Sequence, residues 1–426
     1  MDELAAVVMA GGIGTRMKSA TPKHLHPLLG RRMVDWVIAA AREAGVERVV
    51  VVASPQTAEL YDGVEVAVQE EPLGTGDAVR SARSSLEGFT GDVLVLNGDV
   101  PALTAGTLRR LVETHRAAEA AATLLAFEPE DARAYGRIVR DGEGRLARIV
   151  EAVDASEDEL ALREVNSGIY VFRAEKLWPV LERLEPQNAQ GELYVTDTLG
   201  LLVSDGATCA VELAADPLEV EGINTRVELA AAAARLRDRI NEQHMLAGVT
   251  IVDPASTWIE AGVEIEQDVT VHPFTVIRGE VRLASGVEVG PFAYVRPGTT
   301  VGERAKIGTF VEIKKSSVGA GTKIPHLSYI GDAEIGEGTN VGAGNITANF
   351  SHEPGVPKKR TTIGNNVRTG VDNTFLAPVE IGDDAWIAPG AVITDDVPPG
   401  SLAGFAPRQN TKEGWVYEKH GKPDGD

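Results

Sequence analysis

The segment IEAGVEIEQDVTVHPFTVIRGEVRLASGVEVGPFAYVRPGTTVGERAKIGTFVEI, residues 259–313, decides how this 426-residue chain is read. An aliphatic residue stands at every sixth position: Ile259, Ile265, Val271, Ile277, Leu283, Val289, Val295, Val301, Ile307 and Ile313. Four residues after each of the first nine comes a small or β-branched one: Val263, Val269, Thr275, Val281, Val287, Ala293, Thr299, Ala305 and Val311. A period of six fits neither an amphipathic helix nor the alternation of a strand. It is the signature of a parallel β-helix, in which each hexapeptide supplies one short strand and one turn. The aliphatic side chain points inward, the small one packs beside it, and Gly, Asp, Asn and Glu serve the corners. The register slips by one residue at Val318, which leads on to Ile324 and Ile330, and slips again at Ile335 and Val341. It returns in phase at Ile363, Phe375, Ile381, Ile387 and Ile393. Slips of this kind predict loops projecting from the prism, and loops on a rigid scaffold often carry function. A β-sandwich would need hairpin turns that this spacing does not supply.

Upstream of the repeat, residues 225–246 are rich in Ala, Leu, Arg and Glu and contain no Gly or Pro, which predicts one long helix ended by Gly248. Before it, apolar strand patterns (residues 4–9, 49–53 and 93–96) alternate with helical ones (residues 34–44, 78–86 and 107–118). Interleaving of this kind predicts a mainly parallel sheet with helices on both faces and ligands beyond the C-terminal strand ends. The first strand runs into AGGIGTRM and then Pro22-Lys23. Glycines there let backbone N–H groups approach phosphates, and Arg16 and Lys23 are cations able to neutralise them. The loop does not end in the G-K-[ST] of a P-loop. Asp99 follows the third strand, Gln69 and Leu73-Gly74-Thr75-Gly76-Asp77 precede a helix, and Gly136, Glu151 and Asn166 each end an apolar run. Taken singly, such residues are turn formers and helix caps.

Composition narrows the class. The chain is long enough for two or three domains, 43% of its residues are hydrophobic, and no apolar run is long enough to span a bilayer. The N-terminus lacks the basic region and cleavage pattern of a signal peptide and reads as a first strand. A single cysteine, Cys209, excludes an intramolecular disulfide and fits a cytoplasmic protein. The net charge of −22 argues against nucleic-acid or anionic-membrane partners, so anionic substrates require local basic islands.

An α/β domain of this kind followed by a hexapeptide β-helix resembles the bifunctional (GlmU-type) enzymes that make UDP-N-acetylglucosamine. These join N-acetylglucosamine-1-phosphate uridylyltransferase to glucosamine-1-phosphate N-acetyltransferase. The resemblance covers nearly the whole chain. It rests on MAGGIGTRM, PKHLH, QEEPLGTG, GDVP, YGRI, Glu151, NSGI and EGINTR in the first half, and on VGPFAYVRPG, FVEIKKS, HLSYIGDAEIG and VGAGNITANF in the second. It implies a Rossmann-like nucleotidyltransferase domain over residues 1–224, a linker helix over 225–248, a left-handed parallel β-helix acetyltransferase domain over 249–413 and a tail over 414–426.

Carried over residue by residue, Met9, Ala10, Gly11, Gly12, Lys23, Gln69, Gly74 and Thr75 would hold the nucleotide. Arg16 and Lys23 would neutralise its phosphates. Gly136, Glu151, Asn166 and Asn224 would grip the sugar phosphate, and Asp99 with Asn224 would bind Mg²⁺, whose preference for oxygen ligands suits them. In the second domain, Arg296, Lys314, Tyr329, Asn340 and Lys358 would bind the acetyl acceptor, with Lys359 the alternative to Lys358. Ala343, Asn349 and Phe350 would line the acetyl-CoA site. His326 would be the general base that deprotonates the sugar amine, a role suited to a histidine near neutral pH. The resemblance further implies small-molecule substrates, acetyl-CoA as co-substrate and a homotrimer with acetyltransferase sites between neighbouring β-helices.

The sequence also departs from the family pattern. The β-helix before Arg296 is shorter by roughly two three-hexapeptide coils. The family's N-Y-D-G followed by lysine is NFSHEPGVPKK here, so Phe350 replaces a tyrosine. Val371 and Pro389 replace a serine and an alanine, Ala406 (with Arg408 nearby) replaces a cation, and Val153 replaces a lysine. Two other readings follow from these departures: a monofunctional nucleotidylyltransferase whose β-helix only assembles the oligomer, and a relative using another nucleotide or sugar phosphate.

Overall fold

The computed structural model describes residues 3–12, 14–132, 135–186, 191–351, 354–404 and 411–420. The chain divides into two compact units, Met1–Leu236 and Arg237–Asp426.

The first unit is built on a sheet of nine strands among the described residues: β1 (Leu4–Ala10), β2 (Arg48–Ala53), β3 (Glu65–Val68), β4 (Asp92–Asn97), β5 (Ala122–Phe127), β6 (Arg137–Arg140), β7 (Leu146–Val150), β8 (Val165–Arg173) and β9 (Cys209–Leu213). Their order is β9-β5-β8-β4-β1-β2-β3, with the β6–β7 hairpin attached through β8. Alternation along β1 explains the layering. Ala6, Val8 and Ala10 pack with Val34, Val37, Ile38 and Leu108 on one face, and Ala5 and Val7 pack with Val79, Leu177 and Leu199 on the other. Period-two alternation with both faces apolar is what buries a sheet between two helical layers.

The sheet is mainly parallel, as expected: in the order above only β8 runs antiparallel to its neighbours, β4 and β5, and the other pairings are parallel. The expected helix over 78–86 is instead an α-helix at Thr75–Ser81 followed by a 3₁₀ turn at Ser84–Leu86. It starts earlier because Gly74 caps it with a left-handed φ of 115° that other residues rarely adopt.

The second unit is the expected parallel β-helix. Three parallel sheets run side by side, and Trp258, Val276, Tyr294 and Glu312 pair in succession at a step of 18 residues, three hexapeptides per coil. At Val318 the step falls to 17, pairing Val301 with Val318, Ile307 with Ile324 and Ile313 with Ile330. The inward column survives because a corner, not a strand, loses the residue. Val318, Ile324, Ile330, Ile335 and Val341 are all buried. Ile335 then pairs with Ile363, a step of 28, and the additional residues fall between the strands Ile346–Ala348 and Thr361–Ile363. Every hexad aliphatic from Val271 to Ile313 is buried, while Ile265, near the first coil, is only half-buried. At one corner Phe274, Phe292 and Phe310 stack on each other with ring centroids 4.9 and 5.2 Å apart, and all three are exposed.

The helix Arg226–Leu246 follows the expected span and crosses the division between the units. Trp415–His420 is helical, whereas residues 421–426 of the tail, and Ala406 and Arg408, lie outside the described residues.

Candidate active sites

In the first unit the glycine-rich loop leaves the C-terminal end of β1, where Gly98 N–H donates to the Met9 carbonyl (2.9 Å) and so ties β1 to β4 at their shared edge. Gly14 has φ 71°, and a Cβ there would lie 2.5 Å from Cβ of Lys23. The loop and the lysine therefore pack backbone against stem, a contact that only glycine permits. Gln69 lies over Gly11, whose added Cβ would be 3.2 Å from Oε1. Its Nε2 donates to the Gly74 carbonyl at 3.1 Å and to Asp77 at 2.9 Å. Thr75 Oγ1 accepts from Val195 N–H at 3.1 Å, bracing the second loop. The structure thus joins the two glycine-containing loops through Gln69.

A cavity of about 690 Å³ opens beside these loops. One wall carries Gly136, Glu151 and Asn166. Asn166 N–H donates to the Gly136 carbonyl at 2.9 Å, and a Cβ on Gly136 would lie 3.3 Å from the Glu151 carboxylate. The sequence around Asn166 makes a β-bulge, with the ladder of β8 shifting between Asn166 and Tyr170. Asn166 Nδ2 donates to the Tyr170 hydroxyl at 2.7 Å, and Gly168 N–H donates to Asn166 Oδ1 at 3.0 Å. Burial raises the pKa of Glu151, and Asp197 and Asp154 add to the rise against a weak bond from Thr196.

Asp99 and Asn224 line the same cavity. Ile223 N–H donates to the Asp99 carbonyl at 3.0 Å, which holds EGINTR against the end of β4. Thr225 and Glu228 form a capping box for the long helix. Glu228 N–H donates to Thr225 Oγ1 at 3.2 Å, and Glu228 Oε2 accepts from the N–H groups of Asn224 and Thr225 at 2.5 and 3.0 Å. The Asn224 side chain is thereby set. Lys23 Nζ bonds both the Asp99 carboxylate and Asn224 Oδ1, the latter at 2.9 Å, and Arg16 donates to the same Asn224 oxygen at 2.9 Å.

In the second unit, Arg296, Lys314 and Tyr329 lie on one face of the prism. Glu312 pairs with Tyr329 and Lys314 with Gly331 in the ladder. Arg296 donates to Glu312 at 2.7 Å, which raises its pKa. Lys314 is buried, its Nζ 3.6 Å from Asp332, and its pKa is lowered by Lys358 beside it and by burial. Of the two lysines left open by the sequence, Lys358 is the one the structure brings to Lys314. Arg360 turns away to Glu334. Asn349 is buried and donates to the same Asp332 oxygen that faces Lys314.

His326 is exposed at the prism corner, in register with Thr309. Leu327 N–H donates to the Thr309 carbonyl, Asp372 N–H to that of Ala343 and Gly390 N–H to that of Val371. His326, Ala343, Val371 and Pro389 therefore follow one another down a single corner, one per coil. Asn340 sits elsewhere, bridging Lys323 and Arg368 on a different sheet, so one chain does not bring it to Arg296 and Lys314. Phe350 is exposed.

Several site residues escaped sequence reading. Asp332 lies inside the quoted HLSYIGDAEIG string but has no spacing signal of its own. Thr196 and Asp197 reach Glu151 only through the fold. His24, within PKHLH, is 3% exposed, faces Tyr61 in a stacked arrangement, and has its pKa pushed down to about 4 by burial.

These two units define the class: a nucleotidyltransferase-type α/β domain joined to a hexapeptide β-helix that carries a basic cluster around the buried Lys314. Residues 6–197 match the MobA-like NTP transferase domain family. Over nearly the full chain, the protein is 47% identical to bifunctional protein GlmU of Streptomyces avermitilis across 457 residues, covering 97% of this chain and 94% of the relative. It is 45% identical to the Trichlorobacter lovleyi protein of that name (97% and 98% covered) and 42% identical to the Mycobacterium tuberculosis one (98% and 93%). The chain belongs to the bifunctional GlmU family, as its motifs led us to expect.

Proposed function

We propose that this chain makes UDP-N-acetylglucosamine in two steps, the β-helix unit acetylating glucosamine-1-phosphate and the α/β unit transferring uridylyl from UTP to the product. A monofunctional reading is not favoured, because the match to bifunctional relatives runs through the β-helix as well.

The observation that carries the first-unit assignment is the single cavity lined by Gly136, Glu151 and Asn166 together with Asp99 and Asn224. The sugar is held by Glu151 and Asn166, and the glycine loops with Gln69 receive the nucleotide. Arg16 and Lys23 take its phosphates, and the protein contributes mainly position and charge neutralisation. Among the described residues no group of three or more His, Cys, Asp or Glu could hold a metal. The donor set nevertheless fits Mg²⁺, since a carboxylate and an amide oxygen converge on one ammonium, and this ion keeps waters and substrate phosphates in its remaining positions. Asp99 and Asn224 would hold it, and when bound it would polarise the α-phosphoryl group.

In the second unit, Arg296, Lys314 and Lys358 receive the acceptor's phosphate, and Tyr329 borders them. His326 takes the proton from the attacking amine, with the thioester along the corner of Ala343 and Asn349 beside it. The same corner continues with Val371 and Pro389 in place of more polar or smaller residues. Two features support a homotrimer: Asn340 lies on a different face from the basic cluster, and the stacked Phe274, Phe292 and Phe310 form an exposed apolar ridge that a neighbouring copy would cover. Among the described residues no helix is long and apolar enough to cross a membrane. A cytoplasmic location fits substrates such as UTP and acetyl-CoA.

The test is thiol release from acetyl-CoA with glucosamine-1-phosphate, alongside pyrophosphate release from UTP with N-acetylglucosamine-1-phosphate. His326→Ala should abolish the first and leave the second. Unchanged thiol release in His326→Ala would overturn the assignment of the base.

A further inference from the structure

We propose that Lys23 is a built-in counter-ion standing in the divalent-metal position, displaced when a nucleoside triphosphate draws it onto phosphate, so that metal and nucleotide bind cooperatively. The proposal rests on the reading of Asp99 and Asn224 as the metal ligands. The ammonium of Lys23 contacts the Asp99 carboxylate and lies 2.9 Å from Asn224 Oδ1, while Arg16 occupies the same Asn224 oxygen at 2.9 Å. The Lys23 and Asp99 side chains are only 16% and 22% exposed, so water does little to screen the pair.

A Mg²⁺ or Mn²⁺ ion bound to those two oxygens would sit about 2 Å from each, inside the volume the ammonium now fills. Two cations cannot share that position, so metal entry requires Lys23 to leave. The lysine stem is fixed where it packs on Gly14, whose added Cβ would be 2.5 Å from that of Lys23. Only the outer end of the side chain is free to move, and the loop holding its stem is the one proposed to receive the phosphates. A triphosphate bound there gives the ammonium, and Arg16 with it, a new anionic partner at short range. It thereby frees the oxygens for the metal. By linkage the nucleotide raises metal affinity by the same factor as the metal raises nucleotide affinity.

The consequence has an unusual sign: removing a positive charge known to suit phosphate should tighten metal binding to the free enzyme. The experiment is Mn²⁺ titration of the full chain without nucleotide, read by electron paramagnetic resonance of the free ion. Lys23→Gln should bind Mn²⁺ tighter than the parent by on the order of tenfold, within the usual range of coupling between ligands. Lys23→Arg, which keeps the cation, should not. Calorimetric titration of UTP with and without Mn²⁺ should give a large coupling factor in the parent and a smaller one in Lys23→Gln. Acetyl-transfer activity of each sample and its thermal transition check that the chain is folded. If Lys23→Gln is unstable, Arg16→Gln, at an exposed position, frees the same Asn224 oxygen and should tighten Mn²⁺ binding by a smaller factor. Mn²⁺ affinity that is unmoved or weakened in a folded Lys23→Gln or Arg16→Gln chain overturns the proposal. Mn²⁺ binding that survives Asp99→Ala in the Lys23→Gln background sinks instead the metal-ligand reading beneath it.

Discussion

A single methyl group at Gly331 should separate the two activities. Gly331 ends the strand Tyr329–Gly331, beside Lys314 in the ladder. A Cβ there would lie 2.5 Å from the Tyr329 hydroxyl oxygen, 2.7 Å from its Cζ and 2.8 Å from Asn349 Nδ2. These distances fall roughly an ångström short of relaxed van der Waals contact. The backbone of Gly331 is not in the left-handed region, so alanine meets no torsional penalty and the whole effect comes from displaced neighbours. Tyr329 cannot bend, and Asn349 is buried and tied to Asp332, so both must shift by a sizeable part of that overlap. Misplacing catalytic groups by about 1 Å costs on the order of a hundredfold in rate. Gly331→Ala should therefore lower acetyl transfer by about that factor, while pyrophosphate release by the α/β unit stays within about twofold of the parent. Thiol release measured over a range of both substrates would show it. Acetyl transfer within about threefold of the parent would refute the placement of Tyr329 and Asn349 at the reacting groups.

His24 makes the first unit acid-sensitive. Burial pushes it down to about 4 from an ordinary 6.5, so between those values the unfolded chain takes up a proton that the folded chain refuses. Stability is unaffected above the ordinary value and falls as pH drops through this window, by roughly 2 kcal/mol between pH 7 and pH 5. Urea unfolding at both pH values should show His24→Leu losing that much less stability than the parent, and an identical loss in both proteins would refute the assignment. In the second unit, Lys358→Met should raise KM for glucosamine-1-phosphate about tenfold through loss of a phosphate contact, whereas Lys359→Met should leave it unchanged. Equal effects of the two substitutions in steady-state kinetics would show that the segment 349–360 does not fix which lysine is used.

The β-helix was legible because its contacts are periodic in sequence. Each inward residue meets another 17 or 18 positions away, so burial in the fold reappears as a pattern in the chain, and Val318 to Val341 keep the pattern even where a corner is one residue shorter. The first strand and its glycine loop were legible for a similar reason, since strand, turn and cations are contiguous there. Legibility failed wherever a partner came from a distant segment. The direction of β8 shows only in its pairing with β4 and β5, both distant in the chain. The bulge at Asn166 depends on its two neighbouring strands, and the burial of His24 depends on Tyr61. Asp332 illustrates the limit most clearly. One of its oxygens faces both Lys314 and Asn349, on two other coils, so its importance exists only after three coils have stacked. Motif resemblance could point to Lys314 and Asn349, but it could not say that one carboxylate holds that lysine and that amide in the same place. That shared carboxylate ties the Asn349 amide to the coil before its own.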